Sequence, residues 1–182
     1  MRQLKFHEKK LLKKVDFLNY KQDASLREVK VMRRYHIQER EDYHKYNKLA
    51  GLLRALAHKV SQLPAADPFR AKMEADLLSK CYDLGLLNLE NKLSDVENKV
   101  TVSGFCRRRL AVVACRLKMA ETVGTAVKYI EQGHIRVGPN TVTDPAYMVT
   151  RNMEDFITWV DSSKIKRTVM TYNDELDDFD LL

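Results

Sequence analysis

The run Cys106-Arg-Arg-Arg-Leu-Ala-Val-Val-Ala-Cys-Arg-Leu-Lys-Met-Ala120, continued by Glu121-Thr-Val-Gly-Thr-Ala-Val-Lys-Tyr-Ile-Glu-Gln-Gly-His-Ile-Arg-Val-Gly-Pro-Asn140, decides how the rest of the chain is read. Leu110, Val113 and Leu117 recur at helical spacing, while Arg109 and Arg116 stand two turns apart on the neighbouring face. The spacing predicts a helix, begun at Thr101 or Ser103, with one apolar side and one cationic side. Thr122 then reads as an N-cap, Ala126, Val127 and Ile130 as the buried stripe of a second short helix, and Gly133 as the glycine that ends it. Ile135-Arg-Val137 alternates as a strand, Gly138-Pro-Asn140 is turn chemistry, and Val142 returns. Asp144-Pro-Ala-Tyr-Met-Val149 predicts a further short strand after its proline.

Composition narrows the class of protein. The chain has 182 residues, 45% of them hydrophobic, which is enough for a core without disulfide staples and excludes disorder throughout. A formal charge of +7 suits a polyanionic partner. No run of eighteen apolar residues occurs, and Met1-Arg-Gln-Leu-Lys lacks the hydrophobic segment of a secretory signal, so an intracellular protein is expected. Cys81, Cys106 and Cys115 form an odd, widely spaced set and read as buried or half-buried thiols. His7, His36, His44, His58 and His134 include no pair at metal-ligand spacing. With no glycine-rich cofactor loop and no catalytic carboxylate cluster, neither a catalytic residue, a metal nor a cofactor is expected.

Charge is dealt unevenly along the chain. The first 40 residues carry +7, and the last ten carry five acids and no base. Four segments are expected: a basic, partly helical arm over 1–40, a helical region over 41–100, a second module over 101–165, and a tail over 166–182 with an acidic end. Leu4, Leu11, Val15 and Leu18 make a helical stripe in the arm, with Lys5, Lys9, Lys10, Lys13 and Lys14 around it. A solvated surface helix, a helix on anionic membrane and an arm folding against RNA or a protein are the open readings; the density of lysines favours the last. Arg33 and Arg34 extend the same supply of cations.

Beyond it, Tyr43, Tyr46, Ala50, Leu53, Ala57 and Val60 step by three and four, with Leu49, Leu56 and Leu63 widening the stripe. Asp67 and Pro68 are the N-cap and first residue of the next helix, whose inner face is Phe69, Met73, Leu77 and Cys81 and whose end is Gly85. Residues 88–100 read as polar and irregular, with Ser94 capping a single turn. Phe156-Ile-Thr-Trp-Val160 reads as the last strand, and Lys164, Lys166 and Arg167 as a second cationic edge.

The pieces Arg108-Arg109-Leu110, Arg116-Leu117-Lys118-Met119-Ala120, Thr122, Gly133-His-Ile-Arg-Val-Gly138 and Pro145-Ala-Tyr147 together resemble the S4 RNA-binding domain. The chain departs from that pattern at Ala111, where an acid is frequent, and at Val123 and Val127, where arginines are frequent. The resemblance therefore puts the RNA face mainly on the first helix. Arg40-Glu-Asp-Tyr43, Asp67-Pro-Phe-Arg70 and Leu77-Leu-Ser-Lys-Cys-Tyr-Asp-Leu-Gly-Leu86 look like the helical region before that module in eukaryotic small-subunit ribosomal protein S4, over roughly residues 26–160. Residues 4–18, 152–166 and 177–180, largely outside that span, are similar to the S4-domain proteins of the U3 small nucleolar ribonucleoprotein.

The resemblance implies an α+β fold: a helical N-terminal region followed by two helices and a small β-sheet. Because guanidinium forks pair with phosphates without losing charge, Arg107, Arg108, Arg109, Arg116 and Lys118 are expected on RNA, with Thr122, Lys128, His134 and Arg136 beside them. Lys9, Lys10, Lys13, Lys14, Arg33 and Arg34 are expected to touch RNA or a partner. It further implies an assembly factor of the nucleolar small-subunit processome. Such a factor would bind U3 small nucleolar RNA, promote its pairing with pre-ribosomal RNA, and contact the particle's large acidic scaffold phosphoprotein and other processome proteins, with no membrane. A permanent ribosomal protein of the S4 family and an accessory of an RNA-modifying enzyme stay open as alternatives.

Overall fold

The structure is a computed structural model and describes residues 2, 3, 5–9 and 26–175. The apolar stripe expected at Leu4, Leu11, Val15 and Leu18, the lysines Lys10, Lys13 and Lys14, and the acidic end of the tail at 176–182 lie outside the described residues.

Residues 6–9 form one helical turn. The main body begins with α1 (Arg27–Arg34), α2 (Arg40–Ser61) and α3 (Pro68–Asp83), followed by the short α4 (Leu93–Lys99) and α5 (Val102–Arg107). Asp67 caps α3 as expected, its carboxylate accepting from the Phe69 amide at 2.9 Å ahead of Pro68. Tyr46, Ala50, Ala57 and Val60 are the buried face of α2. Leu49 and Leu56, expected to widen that stripe, are instead exposed on its flanks, and Phe69 is 59% exposed on the first turn of α3. The irregular stretch expected over 88–100 contains α4. Leu93, Val96 and Val100 recur at helical spacing and bury against the first core, and Asp95 rather than Ser94 closes the N-terminus by accepting from the Lys92 amide at 3.0 Å.

The second half comprises α6 (Leu110–Arg116), α7 (Val123–Glu131), β1 (Ile135–Val137), β2 (Asn140–Thr141), a 3-10 turn over Arg151–Phe156, β3 (Ile157–Trp159) and α8 (Lys164–Tyr172). The sheet is antiparallel in the order β2-β1-β3, with Val137 opposite both Asn140 and Ile157. Ile135 and Val137 point inward and Arg136 outward, the alternation of a one-sided strand. Gly138, at φ +60°, supplies the positive dihedral of the two-residue hairpin turn. The strand expected after Pro145 is a turn instead. Asp144 captures the Ala146 amide at 2.8 Å, and the segment then forms one isolated β-bridge, between Met148 and Arg109, and buries Val149. The α8 helix was not foreseen; Ser163 caps it by accepting from the Ile165 amide at 3.2 Å.

Two hydrophobic clusters result. The first runs from Val31 to Cys106 and the second from Leu110 to Ile157. They meet at Arg108 and Arg109, so α5, expected to open the second module, packs with the first.

Candidate nucleic-acid interface

Arg107, Arg108 and Arg109 are adjacent in sequence and separate in space. The single helix expected across them does not form. Helix α5 ends at Arg107, Arg108 is its C-cap, Arg109 is the N-cap of α6, and Leu110 starts the next turn. The cause is pairing with residues 147–149: the Leu110 amide donates to the Tyr147 carbonyl at 2.8 Å and the Val149 amide to the Arg108 carbonyl at 2.9 Å. Arg109 and Arg116 therefore do not share a wet face.

Two of the expected RNA-binding arginines are structural in this arrangement. Arg109 is 1% exposed, and its Nη1 donates to Asp42 at 3.0 Å and to the Tyr46 hydroxyl at 3.0 Å. Asp42 and Tyr46 lie one turn apart on α2, so this contact ties α2 to the second module. Arg108 is 5% exposed, its Nε donates to the Val149 carbonyl at 2.9 Å, and its Nη1 pairs with Glu154. Its Nη2 is buried with no hydrogen-bond partner among the described residues. Gly85 lies against this guanidinium so closely that a Cβ there would sit 2.7 Å from Arg108 Cζ. These placements correct the expectation that Arg108 and Arg109 present themselves to a ligand.

The other expected residues divide by what already holds them. Arg107 is exposed and has no partner among the described residues. Arg116 shares Glu154 with Arg108 and keeps 55% of its side chain exposed. Burial raises the Glu154 pKa, but the two guanidiniums outweigh it and hold that carboxyl below the usual range. Leu117, expected in the buried stripe, is 44% exposed because α6 stops at Arg116. Lys118 then takes a left-handed φ of +61°, with the Met119 amide donating to Ala114 and the Lys118 amide to Cys115, so a Schellman turn ends the helix on an exposed lysine.

Thr122 is spent as the N-cap of α7, accepting from the Thr125 amide at 3.1 Å, while Lys128 stands exposed on the same helix. His134 is half-buried, with Nδ1 3.0 Å from Ser163 Oγ. Arg136 binds Thr158 Oγ1 at 3.0 Å and Asp161 at 2.7 Å. Lys9, Arg33 and Arg34 are exposed, Arg34 with its guanidinium over the Tyr35 ring.

Arg151 escaped the sequence reading. Its Nε donates to the Tyr82 carbonyl at 2.9 Å, its Nη2 to the Leu87 carbonyl at 2.9 Å and Asn88 Oδ1 at 3.0 Å, and its guanidinium covers the Tyr82 ring at 4.5 Å. Its position as the first residue of a 3-10 turn carries no sequence signal for a cross-module clamp; its carbonyl partners are Tyr82 in the last turn of α3 and Leu87 beyond that helix. Burial pushes the Cys106 thiol up to about 11, which suits a core residue. No group of metal-ligating side chains occurs among the described residues, and no helix among them is long and apolar enough to cross a membrane.

Exposed cations at Arg107, Arg116, Lys118 and Lys128, on or next to a two-helix, three-strand module joined to a helical base through buried arginines, define an S4-domain protein of the ribosomal S4 type. Comparison with known families agrees: residues 3–107 match the ribosomal protein S4/S9 N-terminal domain and residues 108–155 match the S4 domain. The chain is 63% identical over 180 residues, 99% of its length and 98% of the relative, to the U3 small nucleolar ribonucleoprotein protein IMP3 of Saccharomyces cerevisiae. It is 56% identical over 182 residues to the Homo sapiens protein of the same name, covering 98% of that protein. Similarity to the small ribosomal subunit protein uS4 of Metallosphaera sedula is 32% over 144 residues, 79% of each chain. The chain belongs to the IMP3 family of S4-domain proteins.

Proposed function

We propose that this chain is a non-enzymatic RNA-binding assembly factor of the small-subunit processome. In this reading it binds U3 small nucleolar RNA and stabilises its pairing with pre-ribosomal RNA during 18S rRNA maturation in the nucleolus. The observation that carries the reading is full-length similarity at 63% identity to a protein named as a component of the U3 ribonucleoprotein, twice the 32% to a ribosomal subunit protein. The exposed positions Arg107, Arg116, Lys118 and Lys128 support it, since a cationic surface lowers the repulsion between two phosphate chains while they pair. Arg136 on β1 and His134 just before it are held by Asp161 and Ser163. Lys9, Arg33 and Arg34 add cations that a partner's acidic segments or RNA would meet. The large acidic scaffold phosphoprotein of the particle is the protein partner this reading names.

The test is strand annealing. Purified full-length protein is mixed with a U3 segment and its pre-ribosomal complement, and duplex yield and affinity are followed against salt. The reading expects accelerated annealing and a logarithmic salt slope of about −0.9 per phosphate neutralised on duplex RNA, taking the value for a DNA duplex. Affinity that stays flat between low and physiological salt, or annealing no faster than without protein, overturns it.

A further inference from the structure

Away from the S4 module, α1, α2 and the start of α5 enclose a cleft of about 290 Å³. Its polar wall consists of Arg27, Asn47, Arg54, Thr101 and Ser103, and its floor of Val31, Tyr43 and Val102. No carboxylate lines it. The side chains of Arg27, Asn47 and Ser103 have no partner among the described residues, and Thr101 stands at the N-cap of α5 without a side-chain capping bond. Arg54 gives its Nε to the Ala50 carbonyl at 3.2 Å, which leaves its two terminal nitrogens uncommitted among the described residues.

Two guanidiniums sharing one concavity repel each other unless an anion lies between them, and a cleft of one sign concentrates the opposite charge. The remaining groups narrow the ligand. An amide that both donates and accepts, two hydroxyls and a tyrosine ring match the parts of a ribonucleotide other than its phosphate: the 2′-hydroxyl, the base edge and the base face. A phosphorylated peptide would use the arginines and leave the ring and the apolar floor without a role. Ligand pockets usually span about 300–1,000 Å³, so a volume just under that range suits one residue of a polymer.

We infer that this cleft holds one unpaired nucleotide of a bound RNA, with Arg27 and Arg54 on its phosphate, Asn47, Thr101 and Ser103 on its ribose and base edge, and Tyr43 against its base. The inference rests on the RNA-binding reading above and adds to it a second contact, on the helical base, for a single strand leaving a duplex.

The experiment compares two labelled RNA hairpins, one blunt and one carrying a single-stranded extension, with the full-length chain. Arg27→Ala with Arg54→Ala should weaken the extended hairpin about tenfold, the scale of losing one bound, stacked base. It should lower its salt slope by about 0.7, the value for one single-strand phosphate. The blunt hairpin should be bound within about twofold of the native affinity. Asn47→Ala with Ser103→Ala should weaken only the extended hairpin. Arg107→Ala with Lys128→Ala should weaken both. If the paired arginine change disturbs folding, Arg27→Gln alone, at an exposed position, carries the same comparison.

Native-like binding of the extended hairpin by the Arg27, Arg54 variant, while the Arg107, Lys128 variant weakens both hairpins, overturns the cleft and spares the RNA-binding reading. Capture of a phosphoserine peptide through Arg27 and Arg54, with no preference for the extended RNA, likewise overturns it. Failure of the native chain to bind either hairpin overturns both.

Discussion

Replacing Arg109 by Met should unfold the chain at lower temperature rather than abolish RNA binding directly. Arg109 is 1% exposed and its partner Asp42 keeps 13% of its side chain exposed, so both charges are largely out of water. Met conserves most of the volume but leaves Asp42 with only the exposed Lys45, 3.3 Å from its other oxygen, and the Tyr46 hydroxyl without its donor. Removing one partner of a buried ion pair costs about 3–5 kcal/mol. For a chain of this length each kcal/mol moves the midpoint by about 2–4 °C, so Tm should fall by about 6–20 °C. Asp42→Asn added to Arg109→Met should recover part of the loss, because the largely buried carboxylate has lost its buried partner and the two sites share one interaction.

The assay is thermal unfolding by far-ultraviolet circular dichroism, with RNA affinity measured well below the lowered midpoint. The folded variant should bind within about threefold of the native chain, the scale of a missing surface interaction rather than a lost contact. A native Tm combined with a tenfold or greater loss of affinity would show that Arg109 faces RNA, and the structural assignment of this arginine would be wrong.

Lys118→Gly should stabilise the protein by about 0.5–1 kcal/mol, since glycine takes a positive φ without the Cβ penalty that lysine meets at +61°. It should also weaken RNA binding, and urea unfolding with parallel binding isotherms shows whether the two move oppositely. Arg151→Lys should cost about 2 kcal/mol in urea unfolding, because an ammonium cannot span the Tyr82 and Leu87 carbonyls while covering the Tyr82 ring; native stability would show that the clamp adds nothing. Glu154 has a folded pKa below its ordinary value of 4.5, so its contribution is fully present above that value and is lost as pH falls through the depressed one. Glu154→Gln should therefore lower stability at neutral pH and flatten the acid side of the stability profile, and an acid limb as steep as the native one would count against the Arg108–Glu154–Arg116 cluster.

The legible parts of the fold are those governed by local chemistry. Asp67 before Pro68, Thr122 before α7, and Gly85 and Gly133 at positive φ all act within one turn of themselves, and each sits where the sequence put it. The α4 helix was hidden because five of its seven residues are polar, although Leu93, Val96 and Val100 kept a helical interval. Neither arginine of the 108–109 pair announced its burial. Three consecutive arginines look alike in a sequence, and what separates them lies far away: Asp42 and Tyr46 are 67 and 63 residues from Arg109, and Glu154 is 46 from Arg108. The available signal was on α2, where Asp42 and Tyr46 share a face with the otherwise apolar Ala50 and Ala57.

The burial of Arg108 and Arg109 has a physical consequence for the module. An S4 domain presented on a helical base needs a fixed angle between the two if its exposed cations and a second contact are to meet one RNA. Apolar packing alone is non-directional. Arg109 on Asp42 and Tyr46, and Arg151 on the Tyr82 and Leu87 carbonyls, are directional fork contacts that join the second module to α2 and α3 from separate points. Guanidiniums withdrawn from the solvent face thus set the orientation in which Arg107, Arg116, Lys118 and Lys128 are offered. A change at Arg151 should therefore alter binding of an RNA that spans both parts more than binding of a short hairpin confined to the S4 module, whereas equal loss on both would assign Arg151 to local stability alone.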